Sequence, residues 1–537
     1  MSYKPIIIAL IATSLTACSL DEHPKDQIEE SQIYTSEQAL YQNAVASLYS
    51  YVGGNTDGQG LQGTLRGVYD LQTFGSDEAI MPRRGVDWYD GGIWQDLYRH
   101  SWSPGHEIVK NSWLYLYKVI TLCNRSLETI EKYDYLLFPI QKERYTAEVR
   151  ALRAIYYWYL LDLYGRVPIV TTSDVSMNEV MQAERSQVFD FVRKELESTL
   201  TILPNRSSVE KNEYYGRVTM PVACFVLAKL YLNAEVYCND DWTRSTNPDG
   251  KDMKFDIYSR QMNAWEACLY FCQNIQSMGF LLEGSYDNNF KIHNETSKEN
   301  IWTIPMDKYL ITHLNQNIVR SLHWRHAAAY GFTGSNGTSA TWTALQANHY
   351  GKDDEDSRFK SNYWAGEVAD NNSEIITDRT GKPLTYMPYE VNIDMTGSPY
   401  LETAGARMKK YEIDINATEK GKQMENDIVL FRYADVLLMM AEAKVRNGET
   451  GQWEFDLVRS RARMPLRQAT LDNIYEERLI ELAWEGWRRN DMIRFNRYKS
   501  EYNGGNAVDE SDHHTIVFPI PANARATNAN LKQHLGY

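Results

Sequence analysis

The chain has 537 residues, a formal charge of −15, 37 tyrosines, 14 tryptophans and 6 cysteines. The negative balance excludes nucleic acid as a partner, because neutralising phosphates takes basic patches. The cysteine spacings match no zinc pattern and exclude a disulfide scaffold; by length alone about three or four domains would fit.

The chain opens with "MSYKPIIIALIATSLTACSLDE". Lys4 precedes an apolar run over 6–15 that is too short to span a bilayer, so 1–17 reads as a secretory signal peptide. "LTAC" over 15–18 looks like a bacterial lipobox, which makes Cys18 the first mature residue and a lipidated one. The acidic "SLDE" after it resembles a surface-export signal. Residues 18–35 would then be a lipidated tether. No later stretch is apolar enough for a membrane-spanning helix.

Helical periodicity dominates the chain from residue 36 to residue 278. Over 142–164, Tyr145, Val149, Leu152, Tyr156, Tyr159 and Leu163 recur at steps of three and four and predict one buried stripe. Ala147, Ala151 and Ala154 make a small-residue face where a neighbouring helix can approach. Gly165 and Pro168 stop the helix. Further helices are predicted at 36–52, 108–133, 187–203, 218–237 and 261–278, and beyond the next region at 430–447 and 474–497. Alternating small and bulky faces suit stacked tetratricopeptide-like pairs, although no strict period is present. Cys268 and Cys272, four apart, read as buried thiols. Between 279 and 427 helical periodicity is lost, and Gly, Asn, Ser, Thr and Asp become frequent, so short strands and long loops are expected.

The stretch "DWYDGGIW", 87–94, has two readings. Asp-Gly-Gly is a strong hairpin signal; with Gly91 and Gly92 as the loop, Tyr89 and Trp94 would face each other as a cross-strand pair. Alternatively, the aromatic side chains form a platform for a sugar ring. Glu477, Glu481 and Glu485 recur at four-residue steps. They could suggest a glycosidase acid and nucleophile, but Glu485 with Arg489 and Glu481 with Arg488 read more simply as helix-spaced ion pairs. "DDED", 353–356, lacks the pattern of a calcium loop and reads as a solvated acidic loop. His513 and His514 are expected in solvent. There is no P-loop, dinucleotide fingerprint, G-x-S-x-G or HExxH motif, so no cofactor and no metal are expected.

Several segments together carry a family resemblance. "AEVRALRAIYYWYLLDLYGRVPIV" at 147–170, "GRVTMPVACFVLAKLYLNAEVY" at 216–237, "FRYADVLLMMAEAKVRNG", "IYEERLIELAWEGWRRNDMIRF" and the tail "VFPIPANARATNANLKQHLGY" resemble, in order, the signatures of the SusD/RagB family of Bacteroidetes nutrient-binding lipoproteins. Ala529 and Leu535 stand where the family tail has prolines, and Asn496 where a Gly follows "IRF". The resemblance implies a mainly α, SusD-like fold over 36–537, with a mostly helical half at 36–278, a loop-rich ligand side at 279–427, and signature helices and tail at 428–537. It implies a non-enzymatic, surface-exposed outer-membrane protein that binds a glycan, or in some branches a peptide, and hands it to a SusC-like TonB-dependent transporter. A helical-scaffold glycoside hydrolase or a pure protein-binding scaffold are the rival readings. Counting back from "SWSP", Trp88 falls where starch-binding members place a stacking aromatic. Tyr89 and Trp94 are further candidate ligand contacts, with hairpin packing as the alternative for one or both, Arg84, Asp87 and Asp90 are candidates to hydrogen-bond the sugar hydroxyls, and Trp102 is expected in the core. Trp324, Tyr330 and Trp342, with Asn336, are the candidates from the second half.

Overall fold

The computed structural model describes residues 30–55, 58–498 and 513–537. The expected signal peptide, Cys18 and most of the tether lie outside the described residues.

The helix Glu107–Lys132 turns through a short connection into Pro139–Tyr164, which packs on it and on Arg185–Thr199. Pro139 opens the second of these at a position where its missing N–H costs nothing, and Gly165 ends it at φ 66°. From Ala147 to Tyr164 every side chain except Arg150 is buried. The expected stripe and the expected small-residue face are both buried, and burial extends all round, because this helix has neighbours on both sides. In a second stack, Met220–Leu232 packs on Ala264–Ser277, which packs on Tyr433–Asn447, itself covered by Gln452–Arg461 and Leu471–Glu481. Ala223, Ala267, Ala434 and Ala441 are fully buried and allow this close approach. Cys268 and Cys272 are buried free thiols in the same stack.

Four predicted helices differ in detail. Over 36–52, Ser36 caps a single turn through Ala39 N (3.2 Å), after which the winding first widens and then tightens. Asn43 and Ser47 bond back to carbonyls one turn earlier, which distorts a helix. Over 218–237 the helix breaks at Asn233, whose side chain takes the Lys229 carbonyl (2.8 Å). Leu430 and Phe431 are not helical: Ile428–Arg432 is a buried strand, antiparallel to Asn300–Ile304. The predicted helix 474–497 stops at Glu481 and resumes at Arg488–Arg494, because Trp484 (φ 65°) and Gly486 (φ 76°) turn the chain between them.

That corner also changes the expected ion pairs. Glu481 meets Arg432 (2.6 Å), Arg358 (2.7 Å) and Arg461, and Glu485 meets Lys410 and Arg432 (both 2.8 Å). Glu477 binds Arg358 and Arg459 (both 2.6 Å). Arg488 instead reaches Asp77, and Arg489 the Ile516 carbonyl. The pairing is across elements far apart in sequence, not along one helix. Asp356, expected in a solvated loop, is buried with both oxygens on Arg358. His514 packs edge-on against Tyr537.

Glu78 joins this corner to the strand that leads to the aromatic loop. It is 1 % exposed, accepts from the Trp484 backbone N–H, and has one oxygen without a hydrogen-bond partner. Burial pushes its carboxyl up to about 8. The folded chain then holds a proton that an unfolded Glu releases above its ordinary value near 4.5. Stability should fall as pH rises from about 4.5 to about 8, with a slope from this group of up to about 1.4 kcal/mol per pH unit. Glu78→Gln, which mimics the protonated form, should flatten that slope in denaturant melts run from about pH 5 to about pH 8.

Residues 279–427 carry mostly two-residue strands and loops. Ala79–Ile80 pairs with Ser339–Ala340, Tyr363–Trp364 with Arg407–Met408, and Gly366–Glu367 with Thr385–Tyr386. The first pairing joins the region upstream of "DWYDGGIW" to the loop at 330–342.

Candidate functional site

The aromatic loop is built differently from the expected hairpin. Gly91 (φ 74°) and Gly92 (φ 95°) lead into the helix Ile93–Arg99 and do not turn a hairpin. The two-residue turn lies upstream: Arg84 and Asp87 exchange backbone bonds (2.9 and 3.2 Å) around Gly85-Val86. Gly85 has φ 70°, as the first residue of such a turn requires.

Trp94 is therefore not opposite Tyr89. It lies on the inward face of the helix, fully buried, against Phe74 (5.5 Å) and Trp88 (5.9 Å), with its indole N–H on Asp90 (2.8 Å). No ligand can reach the ring, which removes Trp94 from the candidate contacts and makes it the floor under Trp88. Asp90 is occupied twice, by Trp94 and by Arg66 (3.2 Å).

Trp88 is half-buried. Its indole N–H donates to the Ser335 carbonyl (2.7 Å), and Gly337 leaves room for its ring, since a Cβ there would come within 2.6 Å of it. Trp88 (φ 58°) and Asp90 (φ 43°) both hold left-handed backbone, which non-glycine residues adopt at a cost of order 1–3 kcal/mol. Tyr89 is 48 % exposed, with the Arg83 guanidinium 4.6 Å over its ring. Arg83 is placed by Asp394 (3.5 Å) and by backbone bonds to Ile393 and Met395. Asp87 is exposed beside them.

Arg84 lies beneath this surface. It is 4 % exposed and donates to the Leu401 and Ala404 carbonyls (2.7 and 2.8 Å) and to Ser339 Oγ (3.1 Å). Arg407 reaches the same Oγ (2.5 Å), the Asn336 side-chain carbonyl (2.8 Å) and the Glu402 backbone carbonyl (3.0 Å). Burial pushes both guanidiniums down, Arg407 to about 10. Arg84 and Asn336 are thus struts that lock the 335–340 and 401–407 loops behind Trp88, and neither presents its polar group to a ligand.

The remaining candidates fall into two places. Trp324 opens the helix Trp324–Ala329, half-buried, between the His323 ring (4.1 Å) and the Arg379 guanidinium (5.1 Å). His323 contacts Glu402 (3.5 Å), which ties Trp324 to the loop that Arg407 holds. Burial, with Arg407 nearby, pushes His323 down to about 3, so the ring is neutral. Tyr330 is 6 % exposed and directs its hydroxyl inward to Ala369 and His326 (both 3.3 Å); it is a packing residue. Trp342 opens another short helix and meets Tyr389 (6.4 Å), which meets Tyr350 (6.0 Å), as a separate aromatic group. Arg379, Tyr350 and Tyr389 carry no signal in the sequence, since their partners lie far from them along the chain, whereas Arg83 stands six residues from Tyr89 and is absent from the expected set.

Among the described residues, no cluster of His, Cys, Asp or Glu could hold a metal ion, and no helix is long and apolar enough to cross a membrane. The loop therefore offers two exposed or half-exposed rings, Trp88 and Tyr89, with Asp87 and Arg83 beside them, and Trp324 with Arg379 offers a further half-exposed ring. Planar rings flanked by charged hydrogen-bonding groups suit a ligand with an apolar face and a polar rim.

Comparison with known proteins agrees with this architecture. Residues 285–537 match the model of the SusD family, and residues 70–232 match the model described as "Starch-binding associating with outer membrane". A SusD-like protein of Formosa agariphila is 25 % identical over 91 % of this chain and 89 % of its own length. The starch-binding protein SusD of Bacteroides thetaiotaomicron is 23 % identical over 100 % of this chain and 98 % of its own. The solved structure of a laminarin-binding SusD-like protein superposes with a TM-score of 0.70 at 19 % identity, covering 94 % of this chain and 100 % of that one. Signatures, fold and both matched segments agree: the chain belongs to the SusD/RagB family.

Proposed function

We propose that this is a cell-surface glycan-binding lipoprotein of the outer membrane. It is anchored through Cys18, captures oligo- or polysaccharide on the Trp88–Tyr89 surface, and delivers it to a SusC-like TonB-dependent transporter. The observation that carries the reading is the Trp88–Tyr89 shelf itself. Two adjacent rings are held at the surface by strained backbone, a buried Trp94 floor and the Ser335 tie. Relatives named for binding starch and laminarin support a glycan as the ligand.

The protein is a binding protein and not an enzyme. The carboxylates Glu477, Glu481 and Glu485 are each buried in ion pairs with arginine or lysine, which leaves them unfit as a glycosidase acid and nucleophile. Electrophoresis through gels containing laminarin, starch and other glycans, paired with a reducing-sugar assay, tests this. Retardation without sugar release is expected; sugar release would favour a hydrolase, and retardation by no glycan would favour a peptide ligand.

The anchor has its own test. Metabolic labelling with a palmitate analogue should mark the wild type and not Cys18→Ala, and the variant should leave the membrane fraction. An unlabelled wild type would contradict the anchor. Crosslinking in native membranes should recover a large β-barrel with the protein.

A further inference from the structure

The connection between the helices Glu107–Lys132 and Pro139–Tyr164 ends in an apolar tip that no described residue covers. Tyr135 and Phe138 are each 74 % exposed and Ile140 is 52 % exposed, with Pro139 exposed between them. Single exposed apolar residues are ordinary, but a contiguous group marks a contact surface. Phe138 is also the cap residue of its helix: Gln141 Oε1 accepts its backbone N–H (2.9 Å), but the Phe138 side chain has no oxygen to accept from the first turn. Ser, Thr, Asp or Asn normally holds that place. The chain thus forgoes a stabilising cap to expose an aromatic ring.

The tip lies where the chain enters the fold. Glu30, the first described residue, bridges Lys132 (2.6 Å), and the Tyr34 ring packs at a tilt against Tyr133 (4.9 Å), which meets Tyr135 (6.1 Å). Eleven residues lie between Cys18 and Glu30, and the twelve Cα steps reach at most about 43 Å when extended. A lipid on Cys18 therefore bounds the distance of Glu30 from the bilayer at about 43 Å and leaves the tip within reach of it. The charges around it are balanced: over 131–144, Glu131, Asp134 and Glu143 offset Lys132, Lys142 and Arg144, and Lys142 bridges both Glu131 (2.8 Å) and Asp134 (2.9 Å). In a chain of charge −15, this locally neutral, aromatic tip is a surface that an anionic bilayer does not repel. Aromatic side chains settle at the bilayer–water interface.

We infer that Tyr135, Phe138 and Ile140 dip into the lipid interface and, with the acyl anchor, fix the orientation of the protein on the membrane. The occupant of the tip is a lipid surface, and the inference rests on the proposed acylation of Cys18. With two points of attachment instead of one, the protein has a defined pose from which to present its ligand-bearing side.

The test uses the full lipidated chain in vesicles of phosphatidylethanolamine and phosphatidylglycerol. A polarity-sensitive fluorophore is placed at Phe138→Cys or, as a control on the loop-rich side, at Glu374→Cys. The label at 138 should shift to the blue and be quenched at least twofold more by brominated lipid than the label at 374. Equal quenching at the two positions would overturn the inference while leaving the anchor standing. A chain that does not attach to vesicles at all would overturn both. Quenching at 138 that requires a reconstituted β-barrel would assign the tip to a protein partner and also overturn it. A second variant guards against misfolding. Phe138→Asp installs a proper helix cap, so its melting temperature should not fall, while a label at Tyr135→Cys in that background should lose its lipid contact. Retained contact there would contradict the role of Phe138.

Discussion

Glu481→Ala is expected to destabilise the protein by about 3–5 kcal/mol, because it leaves buried guanidiniums without their counter-charge. Glu481 is fully buried where the two signature helices meet, and its carboxylate is shared by Arg432, Arg358 and Arg461. Those arginines hold its carboxyl well below the usual carboxylate range, even though burial opposes this. Arg432 also binds Glu299 and Glu485, so one deletion unbalances charges just before Asn300–Ile304, at the end of Ile428–Arg432 and at the Trp484 corner together. Denaturant unfolding at neutral pH measures the loss. Lys132→Ala, which removes a solvent-exposed pair with Glu30, should leave the melt unchanged. A small effect of Glu481→Ala would show that the interior network does not hold the helical stack to the strand pair.

Trp94→Ala should also cost about 3–5 kcal/mol, the usual range for removing a buried Trp. It should weaken glycan binding as well, although the ring touches no ligand. Trp94 supports Trp88 at 5.9 Å and fixes Asp90, so its loss releases the strained turn that carries the shelf. The useful contrast is Trp88→Phe, which keeps a ring face but gives up the bond to Ser335. Thermal melts and glycan titrations on both variants should show a large stability loss for the first and a small one for the second. If Trp94→Ala melts like the wild type, the floor assigned to it is wrong.

The helical half is legible in the sequence because its signal is local. Steps of three and four residues locate Glu107–Lys132, Arg185–Thr199 and Ala264–Ser277 to within a few positions, and Gly165 and Pro168 mark a real stop. Trp102, expected in the core, is buried against the tail with its N–H on Tyr537 (2.7 Å). The features that differ from expectation depend on distant partners. Nothing near Gly91 shows that these glycines open a helix, since the competing turn at Gly85-Val86 is fixed by loops more than 300 residues away. The spacing of Glu485 and Arg489 fits one helix, yet Trp484 and Gly486 break it and each charge finds a remote partner. Among the site candidates, Trp88, Tyr89, Asp87 and Trp324 keep accessible surface, while Trp94, Arg84, Asn336 and Tyr330 are interior. Residue type alone does not separate a ring that meets a ligand from one that supports it.

The central claim is that the Trp88–Tyr89 shelf binds a sugar, and Tyr89→Ala tests it most directly. The residue is 48 % exposed and its ring contacts the Arg83 guanidinium, so the fold does not depend on it. Calorimetric titration should use the glycan that most retards the wild type in gels, with a thermal melt on the same samples. Losing a well-placed aromatic contact typically costs about 2 kcal/mol, or roughly thirtyfold in affinity. The account predicts that loss with an unchanged melt. Wild-type affinity in Tyr89→Ala, and again in a Trp88→Ala variant that still folds, would place the glycan elsewhere and contradict the account.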